Sequence, residues 1–338
     1  MAKGLTDIPG IRVGHASDFE AVTGCTVILF GREGAAAAVD LRGGAVGERE
    51  LETLRPGHLV ERVHGLVLAG GSAFGLDAAG GVMRYLEERG IGFETGAARV
   101  PIVPAVILYD LAIGNPRRRP DAAMGYQAAR KATAAPVEEG SVGAGTGATV
   151  GKLFGIARAT KGGLGTATVK LVSGVMVSAL AVVNAFGDVR EHSTGKIVAG
   201  LRRAPGSSKF SDTLAQMQRG AVRRSFGRPA RAAGNTTLAV VATDARFERT
   251  SLLRIAAMAQ AGVARTIAPV HSTFDGDVVF AISLGRKRAD VNSVGVAAAE
   301  ALAQAIVRAV QKAKGLGGVP ALRELRRSRT AGPRRRRA

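Results

Sequence analysis

Two short runs in this 338-residue chain set chemically competent side chains at useful spacings: Gly234-Asn235-Thr236-Thr237 and Asp275-Gly276-Asp277. The first puts a turn-prone Gly-Asn pair ahead of two hydroxyl residues, at the head of the β-rich run Leu238-Ala239-Val240-Val241-Ala242-Thr243-Asp244. A chain can cut itself at such a junction. The Thr236 hydroxyl would attack the Asn235 carbonyl, move the acyl group from nitrogen to oxygen, and leave an ester for water to open. Thr236 would then be a new N-terminus carrying nucleophile and base on one residue, because a free α-amine titrates near ~7.7–8.0. The same four residues also suit a plain turn leading into a strand. In the second run the two carboxylates precede Val278-Val279-Phe280-Ala281-Ile282. Residues two apart in an extended segment point the same way, so both carboxylates can face one site. An ordinary D-G-D turn is the alternative.

The elements that must position these groups read as follows. Strands are expected at Cys25–Phe30, at Ala37–Asp40 and at Gly65–Ala69, the last running through Gly70-Gly71-Ser72-Ala73-Phe74-Gly75 into a helix that ends near Glu88. Residues 95–120, punctuated by Pro101, Pro104, Pro116 and Pro120, read as loop, followed by a helix from Asp121 to Thr133. A Gly-rich block covers 140–167, and an apolar β segment broken at Gly174 covers Thr168–Phe186. The polar stretch 192–232 reads as a mobile connector with a short helix near Phe210–Gln218. Beyond the junction come strand 237–243, helix 248–261, strand 277–284 and helix 292–314. Repeated β-β-α order implies an α/β fold of two packed sheets covered by helices, not a doubly wound parallel sheet.

Composition excludes several function classes. There is no run of eighteen apolar residues, so no membrane span is expected. The N-terminus lacks an apolar signal core, and the single Cys25 allows no internal disulfide, which points to the reducing cytoplasm. Neither the five histidines nor the acidic residues fall at metal-ligand spacings, so no metal is expected. Net charge is +20, but residues 323–338 hold eight Arg against one Glu. That terminal segment reads as a disordered basic tail, capable of non-specific polyanion contact. It carries no aromatic residues for base stacking, and nucleic-acid binding is not expected as the main function.

The glycine-rich blocks admit two uses. Gly143-Ala144-Gly145-Thr146-Gly147-Ala148 fits a loose dinucleotide fingerprint, but no helical stripe follows it. Gly151-Lys152 lacks the rest of a phosphate loop, with Leu153 where Ser or Thr is needed. Such glycines let backbones approach closely. They also line pockets with N–H groups, which makes Gly71, Ser72, Phe74 and Gly145 candidates for substrate binding.

Taken together, the motifs Leu5-Thr6-Asp7-Ile8-Pro9-Gly10, Asp40-Leu41-Arg42-Gly43-Gly44-Ala45-Val46-Gly47, Ala69-Gly70-Gly71-Ser72-Ala73-Phe74-Gly75-Leu76, Val142-Gly143-Ala144-Gly145, Gly234-Asn235-Thr236-Thr237 and Asp275-Gly276-Asp277 make the chain resemble a known family. It is that of the self-processing N-terminal-nucleophile aminopeptidases, which includes L-aminopeptidase/D-esterases, β-peptidyl aminopeptidases and nylon-oligomer hydrolases. The resemblance covers residues 5–315. It implies a four-layer αββα sandwich spanning residues 1–322 as a single domain, cleaved between Asn235 and Thr236 into an α chain (1–235) and a β chain (236–338). Homo-oligomers of such αβ units are implied as well. By the same resemblance Thr236 is the nucleophile, Asp275 holds its amine and hydroxyl, and Asp277 orients Asp275. Asn184 matches the oxyanion-stabilising asparagine, Lys152 a lysine that favours the free-base amine, and Tyr109 the site tyrosine. Many peptidase members carry serine as nucleophile, with serine and glutamate in place of Asp275 and Asp277. Threonine with two aspartates is closer to the nylon-oligomer branch. Ile107 stands where peptidase members often carry an acidic residue.

The implied activity is cofactor-free hydrolysis of short peptides, β-peptides or ω-amino-acid oligoamides through an acyl-enzyme on Thr236. Two alternatives remain open at this point: acyl transfer to an amine, as in ornithine acetyltransferases, and an uncleaved, non-enzymatic binding protein.

Overall fold

The computed structural model describes residues 4–221 and 235–330. In chain order its principal strands are β1 (Arg12–Asp18), β2 (Thr23–Leu29), β3 (Ala35–Gly43), β4 (Glu48–Arg49), β5 (Arg62–Val63) and β6 (Gly65–Ala69). They continue with β7 (Ala105–Ile107), β8 (Gly163–Lys170), β9 (Met176–Asn184), β10 (Thr236–Ala245) and β11 (Gly276–Lys287). The α-helices are α1 (Ala78–Glu87), α2 (Ala122–Arg130), α3 (Thr213–Gln218), α4 (Arg249–Thr266), α5 (Val291–Lys312) and α6 (Leu322–Thr330).

Two sheets form the centre. One runs β1-β2-β6-β7-β4, and the other runs β8-β9-β10-β11-β3-β5. Most neighbours are antiparallel, but β10 and β11 are parallel, as are β6 and β7. Helices α1 and α2 cover the first sheet, and α4 and α5 cover the second, which completes an αββα sandwich.

Strand β10 shows why the sequence chooses this arrangement. Leu238, Val240 and Ala242 enter the core between the sheets, while Ala239 and Val241 face α4 and α5. A strand buried on both faces reads as an unbroken apolar run rather than an alternating one. The small-residue composition serves close packing: a Cβ on Gly165 of β8 would lie 2.2 Å from the Ala305 carbonyl of α5. Helix α5 is long and apolar enough to cross a bilayer, yet most of it is buried against the sheet and α4.

Four expectations are corrected. Residues 95–120 are not all loop, because Ala105–Ile107 forms β7 inside the first sheet, with the Pro104 carbonyl accepting from the Val67 N–H at 3.0 Å. The stretch 192–221 is not a mobile connector. Ile197–Ala199 joins a small sheet with Asp188–Arg190 and Ile267–Ala268, and the buried Asp188 carboxylate accepts from Leu201 N, Thr213 N and Thr213 Oγ1. Residues 222–232 of that stretch lie outside the described residues.

The block 140–167 already contains the start of β8. Finally, the basic tail does not begin at Arg323, since residues 322–330 are helical. Leu322 and Leu325, three apart, bury their side chains, and Glu324 accepts from Gly315 N at 2.8 Å and Ala321 N at 3.0 Å. Residues 331–338 lie outside the described residues.

Candidate active site

Thr236 opens β10, and its backbone partners are fixed on both sides. Across the antiparallel ladder it pairs with Asn184, the last residue of β9, and Thr237 pairs with Val183. On the parallel side, Asn235 forms a bridge with Asp275 just before β11 begins. The expected site residues Thr236, Asn235, Asn184, Asp275 and Asp277 thus gather at one end of three adjacent strands, all buried.

The Asn235–Thr236 junction is tightly held. The Thr236 hydroxyl donates to the Asn235 carbonyl oxygen at 2.5 Å, and the Gly276 N–H donates to the same oxygen at 2.9 Å. The oxygen of the Asn235–Thr236 peptide is therefore polarised by a backbone donor and lies against the Thr236 hydroxyl. Gly234, the first residue of the motif, lies outside the described residues.

The two aspartates are held by different groups. Asp275 Oδ2 accepts from Ser272 N at 3.1 Å and Ser272 Oγ at 2.6 Å, and Oδ1 accepts from Phe186 N at 3.2 Å. It therefore bonds Ser272 and Phe186, not the Thr236 amine and hydroxyl it was expected to hold; in this continuous chain the Thr236 nitrogen is a peptide N–H. Burial and then the neighbouring Asp277 carboxylate push its carboxyl up to about 6, against the pull of those donors. Asp277 Oδ1 accepts from Thr237 N at 2.7 Å, and Oδ2 lies 2.9 Å from His271 Nδ1. The turn before β11 can come this close because Gly43 ends β3 and Gly44 follows it. A Cβ on Gly43 would meet the Asp275 carbonyl at 2.2 Å, and φ there is +84°.

Lys152 is fully buried, which excludes the surface position that a lysine after glycine suggests. Its Nζ donates at 2.8 Å to both the backbone oxygen and Oδ1 of Asn184, and Oδ1 also accepts from Thr149 N at 3.0 Å. An ammonium only donates, so Oδ1 must face it and the amide nitrogen must point away. That nitrogen donates to the Tyr109 backbone oxygen at 3.1 Å. Tyr109 thus enters the site through its main chain, with a half-exposed side chain.

The backbone N–H groups of the glycine loops have partners within the protein. The Gly71 N–H donates to Asp110 Oδ1 at 2.7 Å, the Ser72 N–H to the Leu108 carbonyl at 3.0 Å, and the Gly145 N–H to the Val142 carbonyl at 2.8 Å. These bonds hold the loops together. Phe74 is 57% exposed, with the Arg119 guanidinium stacked 3.8 Å from its ring centroid.

Sequence reading missed His271, Ser272 and a buried pair behind Tyr109. Asp110 accepts from Thr23 Oγ1 and Gly71 N, and Lys161 donates to the carbonyls of Thr146 and Ala148. Burial raises the Asp110 carboxyl and lowers the Lys161 ammonium to about 7. Among the described residues no cluster of His, Cys, Asp and Glu suits a metal ion.

The αββα sandwich, with a hydroxyl residue heading a central strand beside a buried lysine, asparagine and carboxylate pair, is a mixed α/β fold resembling that of the N-terminal-nucleophile aminopeptidases. A solved structure of that kind is similar throughout. The L-aminopeptidase D-Ala-esterase/amidase of Ochrobactrum anthropi, described as a variant of the Ntn-hydrolase fold, superposes with a TM-score of 0.70 at 20% identity, over 97% of this chain and 94% of that one. The chain belongs to peptidase family S58, whose model matches residues 3–322. An uncharacterized aminopeptidase of Mycobacterium tuberculosis is 40% identical over 354 residues, 95% of this chain and 97% of that one. A 6-aminohexanoate-oligomer endohydrolase of Kocuria sp. is 31% identical over 324 residues, 90% of this chain and 85% of that one. The protein is an amidohydrolase, and the reading as a non-enzymatic binding protein falls.

Proposed function

We propose that Thr236 cuts its own chain and then serves as the N-terminal nucleophile of an aminopeptidase-type amide hydrolase. The observation that carries this reading is the 2.5 Å contact between Thr236 Oγ1 and the Asn235 oxygen, on a carbonyl already bound by Gly276 N–H. In the first reaction Oγ1 adds to the Asn235 carbonyl carbon. The C–N bond breaks, the nitrogen takes up the proton, and an ester links Asn235 to the Thr236 oxygen. Water then opens the ester, giving an Asn235 carboxylate and restoring the Thr236 hydroxyl beside the amine freed in the first step.

In the second reaction that amine takes the hydroxyl proton as Oγ1 attacks a substrate amide. Asn184, oriented by Lys152, supplies an amide N–H to the developing oxyanion, a donor type whose loss costs about 3 kcal/mol. Asp275 holds the freed amine, and Asp277 fixes the strand beside it through Thr237 N. The chemistry uses neither metal nor cofactor.

Short amides of amino acids or ω-amino acids are the proposed substrates, in keeping with an oligoamide hydrolase among the relatives and with Ile107 in place of an acidic residue. The active species is proposed to be an oligomer of cleaved αβ units. The test is turnover of amino-acid anilides, β-amino amides and 6-aminohexanoate oligomers, with the acyl group trapped and mapped by peptide mass. An acyl group found on any residue but Thr236 refutes the mechanism.

A further inference from the structure

One side chain outside the proposed machinery is aimed at it from a constrained backbone. His271 begins the turn 271–275 with φ +53°, in the left-handed region that most non-glycine residues avoid. Its Nδ1 lies 2.9 Å from Asp277 Oδ2, and the Asp277 side chain is almost wholly buried. The other oxygen of the same carboxylate accepts the Thr237 N–H at 2.7 Å. Asp277 is thus gripped at both ends, by the main chain next to the nucleophile and by an imidazole from the turn. Ser272, the next residue of that turn, grips Asp275 in the same manner through its N–H and hydroxyl. One turn therefore sets the rotation of both carboxylates.

We propose that His271 is a positioning residue, whose Nδ1–H fixes the Asp277 carboxylate so that Oδ1 stays on the Thr237 N–H. In the tautomer that carries its proton on Nδ1, His271 donates to Asp277 Oδ2. Without this donor the Asp277 carboxylate is free to rotate, and the register of β10 against β11 at the nucleophile loses one of its ties. The proposal rests on the roles given above to Thr236 and Asp277.

The competing explanation is that His271 merely tolerates the left-handed turn. Three substitutions separate the two. Glycine accepts the backbone conformation and offers no donor. Asparagine accepts it too and places an amide N–H where Nδ1 stands. Glutamine is equally polar, but its amide reaches the position of Nε2.

The experiment follows self-cleavage of the full-length protein by intact mass and measures kcat and KM on a small amide. His271→Gly should slow cleavage and lower kcat by about 10–100-fold, the usual loss for outer-shell partners, with KM little changed. His271→Asn should restore most of the rate, and His271→Gln should remain with glycine. Wild-type rates in His271→Gly, or equal rescue by asparagine and glutamine, would overturn the proposal. If the glycine variant does not fold, asparagine and glutamine are compared at equal folded fraction, where a residue that merely tolerates the turn predicts equal rates. Thr236→Ala runs in parallel, and if it still cleaves, the underlying mechanism fails independently of the His271 series.

Discussion

Lys152 holds Asn184 twice, its Nζ donating at 2.8 Å to the backbone oxygen and at 2.8 Å to Oδ1, on the residue that faces Thr236 in register. The lysine therefore sets which way the Asn184 amide points. Lys152→Met removes the ammonium donor from Oδ1 and from the backbone oxygen and loosens the hold on the amide. kcat on a small amide should fall about 10–100-fold with KM much less affected, as for loss of a group that orients a catalytic one. Full kcat and full self-cleavage in this variant would reduce Lys152 to a structural anchor.

The second prediction concerns pH before cleavage, when no free amine exists. The Asp275 carboxyl is pushed up to about 6 by burial and by Asp277. Where ionised Asp275 is the group that draws the Thr236 hydroxyl proton, self-cleavage of freshly unfolded and refolded chain should rise with pH through an apparent pKa near 6, followed by mass against time. Asp277→Asn removes the repelling charge, so Asp275 should ionise more easily and any residual activity should rise at lower pH. Since the two carboxyls are coupled, the limb belongs to the pair. A limb that stays in place in Asp277→Asn would contradict the coupling.

The same shift has a stability consequence. A carboxyl whose folded pKa lies above its unfolded value favours folding below the unfolded pKa, and that contribution is lost as pH rises from about 3.8 through about 6. Above pH 6 the ionised Asp275 is a burden on the fold of at most about 3 kcal/mol. Asp275→Asn should be inactive and yet melt no lower than Thr236→Ala at pH 7.5. A marked loss of stability in Asp275→Asn would mean that its bonds to Ser272 and Phe186 outweigh the charge.

Truncation tests the C-terminal helix. Deleting residues 331–338 should leave the melting temperature unchanged. Deleting 323–338 removes buried Leu325 and the Glu324 carboxylate that holds Gly315 N and Ala321 N, and should lower it by several degrees. Equal melting temperatures for the two truncations would show that α6 adds nothing to the fold.

How far the sequence could be read depended on where each signal was stored. The apolar runs around Leu238–Val241 and Val278–Ile282 spell out strands buried on both faces; the D-x-D spacing brought the two carboxylates near one another, but Asp275 lies in the turn before β11 and is oriented by Ser272, not by strand alternation. Pro101 and Pro104 hid β7, because a strand of three residues beside two prolines has neither the length nor the alternation of a strand. The terminal helix was hidden by its arginines: two leucines three apart suffice to dock it, and composition averages them away. His271 and Ser272 act through a left-handed turn, and no periodicity reports such a turn. Asp110 and Lys161 lie fifty-one positions apart in sequence, and only the fold brings their loops together.

The central claim is that Thr236 cleaves the chain and becomes its catalytic N-terminus. Intact-mass spectrometry with N-terminal sequencing of the purified protein tests it directly. Wild type should give two chains, 1–235 and 236–338, the smaller beginning at Thr236, and Thr236→Ala should give one chain of 338 residues. A wild-type protein that stays whole while hydrolysing amides, or a cut at any other bond, would contradict it.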